Sequence, residues 1–206
     1  RIIVNENNEK VILKGFGLGG WTVLEGYMWN AFIEHASTTN LENAIEDLIG
    51  IEKKKQFFNL YQKNYITEKD IVFLAEKGFN ALRVPLHYKH FSPSPNVFIN
   101  EGFDLLDPIV ELCKENNIYL ILDMHAAPGA QNTNDFSDSD GETARLFTQY
   151  ENQIWLASTW RYIAEHYADE PIIAAYDLLN EPVIPWGYGP EVLKNIYVRS
   201  IDSIRT

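Results

Sequence analysis

Two side chains at one break in the sequence could do acid-base chemistry. In Ile172-Ile-Ala-Ala-Tyr-Asp-Leu-Leu-Asn-Glu-Pro182 an apolar run gives way to Asn180 and Glu181, then to a proline. A carboxyl group held against an apolar strand is partly desolvated, which disfavours its charged form and raises its pKa towards the range of a general acid. The plain alternative is a carboxylate that caps the following loop. Three further strand-like runs lead to polar groups. Phe79-Asn-Ala-Leu-Arg-Val-Pro85 presents Arg83, whose plainer reading is a structural salt bridge. Tyr119-Leu-Ile-Leu-Asp-Met-His125 presents Asp123 and His125, which a period of two puts on one face. The glycine-rich stretch from Lys14 to Gly20 leads to Trp21 and Glu25. Asp123 and His125 also have the spacing of a metal-ligand pair on a strand. No second histidine cluster or cysteine pair completes such a site, since His35, His87, His90 and His166 are scattered, so neither metal nor cofactor is expected.

The elements that would carry these groups follow from pattern and punctuation. Ile172 to Leu179 is too short to cross a membrane and has the composition of a strand buried on both faces, as in parallel sheets covered by helices. Pro182 offers no ladder donor and biases Glu181 towards extended backbone, so the strand is expected to stop there. Pro85 is expected to end the Arg83 strand in the same way. Helical periodicity marks Leu41 to Tyr65, then a stretch with a cap-like start at Thr67-Glu-Lys-Asp70 that ends at Gly78. It also marks Gly102 to Asn116, with a kink or break at Pro108, then Glu151 to Tyr167 and Glu191 onward. Ile2 to Val4 and Val11 to Leu13 flank turn chemistry at Asn5-Glu-Asn-Asn8 and read as a hairpin. Gly15, Gly17 and Gly20 have the spacing of a dinucleotide fingerprint, but the bulky residues from Trp21 to Trp29 offer no helix start to receive a pyrophosphate. Their other use is to let backbone pass close to its neighbours. The polar loop Ala126 to Asp140 is long for a connector and is expected to be functional.

A hairpin followed by four strand-and-helix units, with polar groups gathered at one rim, describes the first half of a (β/α)8 TIM barrel, an α/β fold. Four strands cannot close such a barrel and would leave open edges. Residues 1–206 are therefore read as a single domain, the amino-terminal portion of a longer chain, with the remaining half of the barrel elsewhere. A doubly wound open sheet is the fallback. With 46% apolar and 13% aromatic residues, the 206-residue chain can build a core. A net charge of -12 argues against nucleic acid or membrane as partner and favours a neutral ligand. The lone Cys113 excludes an internal disulfide and reads as a small buried hydrophobe. No run of about 20 apolar residues is present. Because the chain opens at Arg1, a leader is expected to have been removed, which favours a secreted, periplasmic or cell-surface location.

Leu18-Gly-Gly-Trp21, Leu82-Arg-Val-Pro85, Leu122-Asp-Met-His125 and Asn180-Glu-Pro182, in this order, resemble glycoside hydrolase family 5 of clan A. Gly19-Gly-Trp-Thr-Val-Leu-Glu25 and His125-Ala-Ala-Pro-Gly-Ala-Gln-Asn132 are most similar to its exo-β-1,3-glucanase-type and related β-glucanase members. The resemblance implies a retaining hydrolase of β-glucosidic linkages, a glycosidase of polysaccharide degradation and carbohydrate metabolism. Glu181 would be the general acid/base, and Asn180 would bond the 2-hydroxyl of the sugar under attack. Arg83 would orient and charge-stabilise the nucleophile, His125 would contact that sugar, and Glu25 would bind its hydroxyls. Trp21, Trp186 and Tyr188 would line the cleft, where the C–H face of a sugar packs on aromatic rings. Core packing is the plainer reading of both tryptophans. The implied partner is a neutral β-linked oligosaccharide or polysaccharide. The family's nucleophile is a second glutamate at the end of the seventh strand, which these residues do not reach, so the fragment alone is expected to be inactive. The rival from another class is a non-catalytic carbohydrate-binding or scaffold protein on a degenerate barrel.

Overall fold

The structure, a computed structural model, describes residues 3–4, 7–31 and 33–206. Of the expected hairpin, an antiparallel bridge joins Val4 to Lys10, and the Val11 N–H donates to the Ile3 carbonyl at 3.0 Å. Ile2, Asn5 and Glu6 lie outside the described residues. The chain continues through β1 (Gly15–Gly17), α1 (Thr38–Ile49), α2 (Ile51–Tyr65), α3 (Glu68–Glu76), β2 (Ala81–His87) and α4 (Glu101–Glu115). After these come β3 (Tyr119–Ala126), α5 (Arg145–Thr148), α6 (Tyr150–His166), β4 (Ile173–Asp177) and α7 (Pro190–Ile204). The strands form one sheet in the order β1-β2-β3-β4, and every pair is parallel. Each strand pairs with the next in sequence, so the strand order never reverses as it does in a doubly wound sheet. The progression is that of a barrel wall, and the fold is a partial (β/α) barrel rather than the open-sheet fallback.

Register decides which side chains reach the rim. Pro85 lies opposite Asp123, and Asp123 opposite Asp177. Leu82, Val84, Leu86, Leu120, Leu122 and Met124 are each at most 1% exposed and join one core with Ile71 of α3, Leu106 and Ile109 of α4, and Leu156 and Trp160 of α6. Alternation sends Arg83, Asp123 and His125 to the opposite face, the interior side of a barrel. Burying each large apolar side chain contributes about 1.5–3 kcal/mol, and a one-residue slip would exchange the two faces. The apolar half of each strand thus determines where its polar half points.

Prolines behave otherwise than expected. Pro85 does not end β2, which runs on to His87. The carbonyls of Arg83 and Pro85 face the β1 side, where they accept from the Leu18 N–H at 2.9 Å and the Thr22 hydroxyl at 2.7 Å. There β1 has already ended at Gly17, so no ladder partner stands opposite the N–H donor that Pro85 lacks. Pro108 sits inside an unbroken α4, because Phe103, Leu106, Ile109, Val110 and Cys113 are buried along that helix and their packing outweighs one missing backbone bond. Leu41 to Tyr65 divides into α1 and α2 at Gly50, whose φ of 80° places it in the left-handed region. The start at Thr67 is a full capping box with Asp70.

β4 is not buried on both faces. Ala174 and Ala175 are exposed, because among the described residues β4 pairs with β3 alone, and the strand stops at Asp177 rather than at Pro182. Cys113 is fully buried, and burial pushes its thiol up to about 12. Among the described residues no helix is long and apolar enough to cross a membrane.

Candidate active site

Four side chains, from the middle of β2, the second half of β3 and the segment just after β4, close a ring. Arg83 Nη2 donates to Asn180 Oδ1 at 2.8 Å and lies 3.1 Å from Asp123 Oδ2. The same Asp123 oxygen is 2.7 Å from His125 Nδ1, and His125 Nε2 is 3.4 Å from Asn180 Nδ2. Each contact fixes the next. With Oδ1 of Asn180 facing the guanidinium, its amide N–H faces His125, so Nε2 accepts and the imidazole proton sits on Nδ1, donating to Asp123. Asp177 also anchors Arg83, with Oδ2 at 3.1 Å from Nε and 3.0 Å from Nη2. Burial of Asp123 raises its carboxyl above its ordinary value, against the hydrogen bond from His125 and the charge of Arg83. Its Oδ1 has no hydrogen-bond partner among the described residues.

Glu181 follows this ring directly, and its backbone departs from expectation. Its φ is 43°, in the left-handed region, although Pro182 biases the preceding residue towards extended geometry. For a non-glycine residue such a conformation costs on the order of 1–3 kcal/mol. Three hydrogen bonds hold the segment. The Asn180 N–H donates to the Met124 carbonyl at 3.0 Å, Asn132 Nδ2 donates to the Glu181 carbonyl at 3.0 Å, and the Val183 N–H donates to the Gln131 carbonyl at 2.9 Å. The side chain of Glu181 is exposed. The desolvation expected from the apolar run is not supplied by this chain, since β4 is an edge strand and does not wrap the residue.

The other expected site residues are dispersed. Trp21 belongs to the core at 2% exposure, and its indole N–H donates to the Gln62 carbonyl at 3.0 Å, so the cleft-lining expectation gives way to core packing. Trp186 is fully exposed and Tyr188 is 47% exposed, both on the loop between Pro182 and α7. Glu25 is half-buried on the loop after β1, and its charge, ahead of burial and their hydrogen bond, raises the Tyr27 phenol above its ordinary value. A Cβ at Gly19 would lie 2.8 Å from Glu25 Oε1. Tyr65 donates its hydroxyl to the Gly19 carbonyl at 2.6 Å and Tyr61 donates to the Gly20 carbonyl. The glycines therefore admit the aromatic hydroxyls of α2 where a fingerprint would admit a pyrophosphate.

Sequence reasoning missed four contributors. Asp177 was hidden in an apolar run, and Gln131 and Asn132 in a polar loop. The fourth is a buried pair, His87 and Asp138. Burial first, and the Lys89 charge second, push His87 down to about 3, so it is neutral. Its Nδ1 accepts from the Lys89 N–H at 3.3 Å, which leaves Nε2–H to donate to Asp138 Oδ2 at 2.9 Å. Asp138 also accepts from the Thr39 N–H at 2.6 Å and the Thr39 hydroxyl at 2.7 Å. Burial opposes its ionisation, but His87 and Thr39 together hold the carboxyl below the usual carboxylate range. The end of β2, the loop after β3 and the start of α1 are joined at this point.

Comparison with known proteins places the chain in a family. The family model described as Cellulase (glycosyl hydrolase family 5) matches residues 36–206. A protein of Phanerodontia chrysosporium named beta-xylosidase is 36% identical over 189 residues, which are 89% of this chain and 38% of that protein. A probable glucan 1,3-beta-glucosidase A of Emericella nidulans is 30% identical over 200 residues, 96% of this chain and 48% of that one. The chain thus spans less than half the length of these curated relatives. Among solved structures, rutinosidase from Aspergillus niger superposes with a TM-score of 0.73 at 18% identity, over 91% of this chain and 58% of that one, a likeness of fold. With the family model matching most of its length, the chain belongs to glycosyl hydrolase family 5, the cellulase family.

Proposed function

We propose that this chain is the amino-terminal half of a retaining glycoside hydrolase that cleaves β-glucosidic linkages of a neutral oligosaccharide or glucan, with Glu181 as general acid/base. The observation that supports it most is the closed ring of Arg83, Asn180, His125 and Asp123 immediately before Glu181, at the rim of parallel strands. Such a ring fixes donors and acceptors in advance, which is what a transition state with developing charge requires. Retaining enzymes need two carboxyl groups about 5–5.5 Å apart. The first attacks the anomeric carbon while the second, here Glu181, gives its proton to the departing oxygen. Glu181 then takes a proton from the water that displaces the enzyme from the sugar. The attacking carboxylate belongs to the half of the barrel beyond these residues, so the chain alone does not turn over substrate.

In this reading Arg83, doubly held by Asp177 and by the ring, faces the attacking carboxylate, and Asn180 and His125 contact the sugar. Glu25, Trp186 and Tyr188 are the outer contacts, and secretion suits a polymeric substrate. The names of the relatives, a xylosidase and a glucan 1,3-glucosidase, support a neutral β-linked sugar. The test uses the full-length protein with chromogenic β-glucosides and laminari-oligosaccharides, alongside Glu181→Gln. Loss of roughly 10²–10⁴ in kcat on the oligosaccharides is expected for the variant. Undiminished turnover would remove Glu181 from the mechanism, and glycan binding without turnover in the unmutated protein would favour a non-catalytic binding role.

A further inference from the structure

We propose that Asn132 is a positioning residue for Glu181: its buried side-chain amide holds the Glu181 carbonyl and so keeps the proton donor in its left-handed backbone conformation. The inference rests on the reading of Glu181 as general acid/base. At φ 43° and followed by Pro182, Glu181 occupies a conformation that its own sequence opposes twice. Of the three hydrogen bonds around it, the one to its own carbonyl comes from a side chain, Asn132 Nδ2 at 3.0 Å.

Asn132 is built as a fixed strut. It is 1% exposed, its Oδ1 accepts from the Asn134 N–H at 2.8 Å, and its own carbonyl accepts from the Ser137 hydroxyl at 3.1 Å. Both ends of the amide are engaged, so its orientation is determined and its donor points one way. The neighbouring Gln131, fully buried, ties the same loop to the catalytic ring, since its Nε2 donates to the His125 carbonyl at 2.6 Å and its Oε1 accepts from the Ala127 N–H at 3.2 Å. One loop therefore sets His125 and the Glu181 peptide relative to each other. Without the Asn132 donor the Glu181 carbonyl is free to rotate, the residue relaxes towards the extended conformation that Pro182 favours, and Cα–Cβ swings away from the ring. A general acid must stand about 2.6–3.2 Å from the oxygen it protonates, so this swing removes proton donation before it removes binding.

The experiment compares Asn132→Asp, which keeps the shape and loses the donor, with Asn132→Ser and Glu181→Gln in the full-length protein. Each is assayed on a 2,4-dinitrophenyl β-glucoside, whose leaving group departs unprotonated, and on a laminari-oligosaccharide, whose leaving group needs a proton. Both Asn132 variants are expected to lose on the order of 100-fold in kcat/KM on the oligosaccharide and less than about 10-fold on the activated glucoside, the pattern of Glu181→Gln. Melting temperatures accompany the kinetics, and Asn132→Ser decides the matter where the new charge of Asn132→Asp unfolds the protein. Equal losses on both substrates, or no loss on either, while Glu181→Gln shows the split, would overturn the role of Asn132 and leave that of Glu181 standing. Absence of the split in Glu181→Gln itself would overturn both.

Discussion

Arg83 reaches Asp123, Asp177 and Asn180 through one planar guanidinium, and no other cationic side chain has that fork. Arg83→Lys keeps the charge and loses the geometry. It is expected to lower kcat/KM of the full-length protein by about 100-fold or more and also to lower its melting temperature, because the buried Asp123 is then poorly paired. Unchanged kinetics would make Arg83 a structural ion pair only. His87 carries a pH prediction. Its folded pKa of about 3 lies below the ordinary 6.5, so between these values the unfolded chain binds the extra proton and stability is lost as pH falls. Asp138, held below its ordinary value, adds a further loss at lower pH as it is protonated. His87→Gln, which cannot titrate, should flatten the acid limb by up to roughly 3 kcal/mol between about pH 6.5 and 4.5 in denaturant melts. An unaltered slope would show that another group governs that limb. At this scale legibility depended on contrast with the surroundings. Arg83, His125 and Asn180 interrupt apolar runs and stand out, whereas Asn132 and Gln131 sit among polar neighbours and act through backbone carbonyls that leave no mark in the sequence.

The elements were legible to within a few residues wherever a cap or a period of 3.6 marked them, as at Thr67-Glu-Lys-Asp70 and along α6. The departures are at Pro85, Pro108 and Pro182, where a local preference met a tertiary arrangement that outweighed it. Pro85 loses no ladder bond because β1 is short, and Pro108 is carried by the buried face of α4. Gly102, in the first turn of α4, tests the same balance with the opposite outcome. Alanine is the better helix former by about 1 kcal/mol, but a Cβ there would stand 2.4 to 2.7 Å from ring atoms of Phe91, which is 1% exposed and cannot retreat. Gly102→Ala is therefore expected to destabilise by about 1–3 kcal/mol in urea melts, and a stabilised variant would show that the packing around Phe91 is looser than its burial implies.

For the molecule as a whole, the parallel order of the strands was legible because each apolar run ends in chemistry and is followed by a helix. The half-exposed state of β4 was not, since a strand made for a closed barrel reads the same whether or not its neighbour is present. The most direct test of the account is chemical rescue of Glu181→Ala. With a 2,4-dinitrophenyl β-glucoside, the glycosyl-enzyme forms without an acid and then waits for a base, and azide needs none. The account predicts that azide restores turnover and yields β-glucosyl azide. No acceleration by azide, or an α-glucosyl azide product, would contradict it.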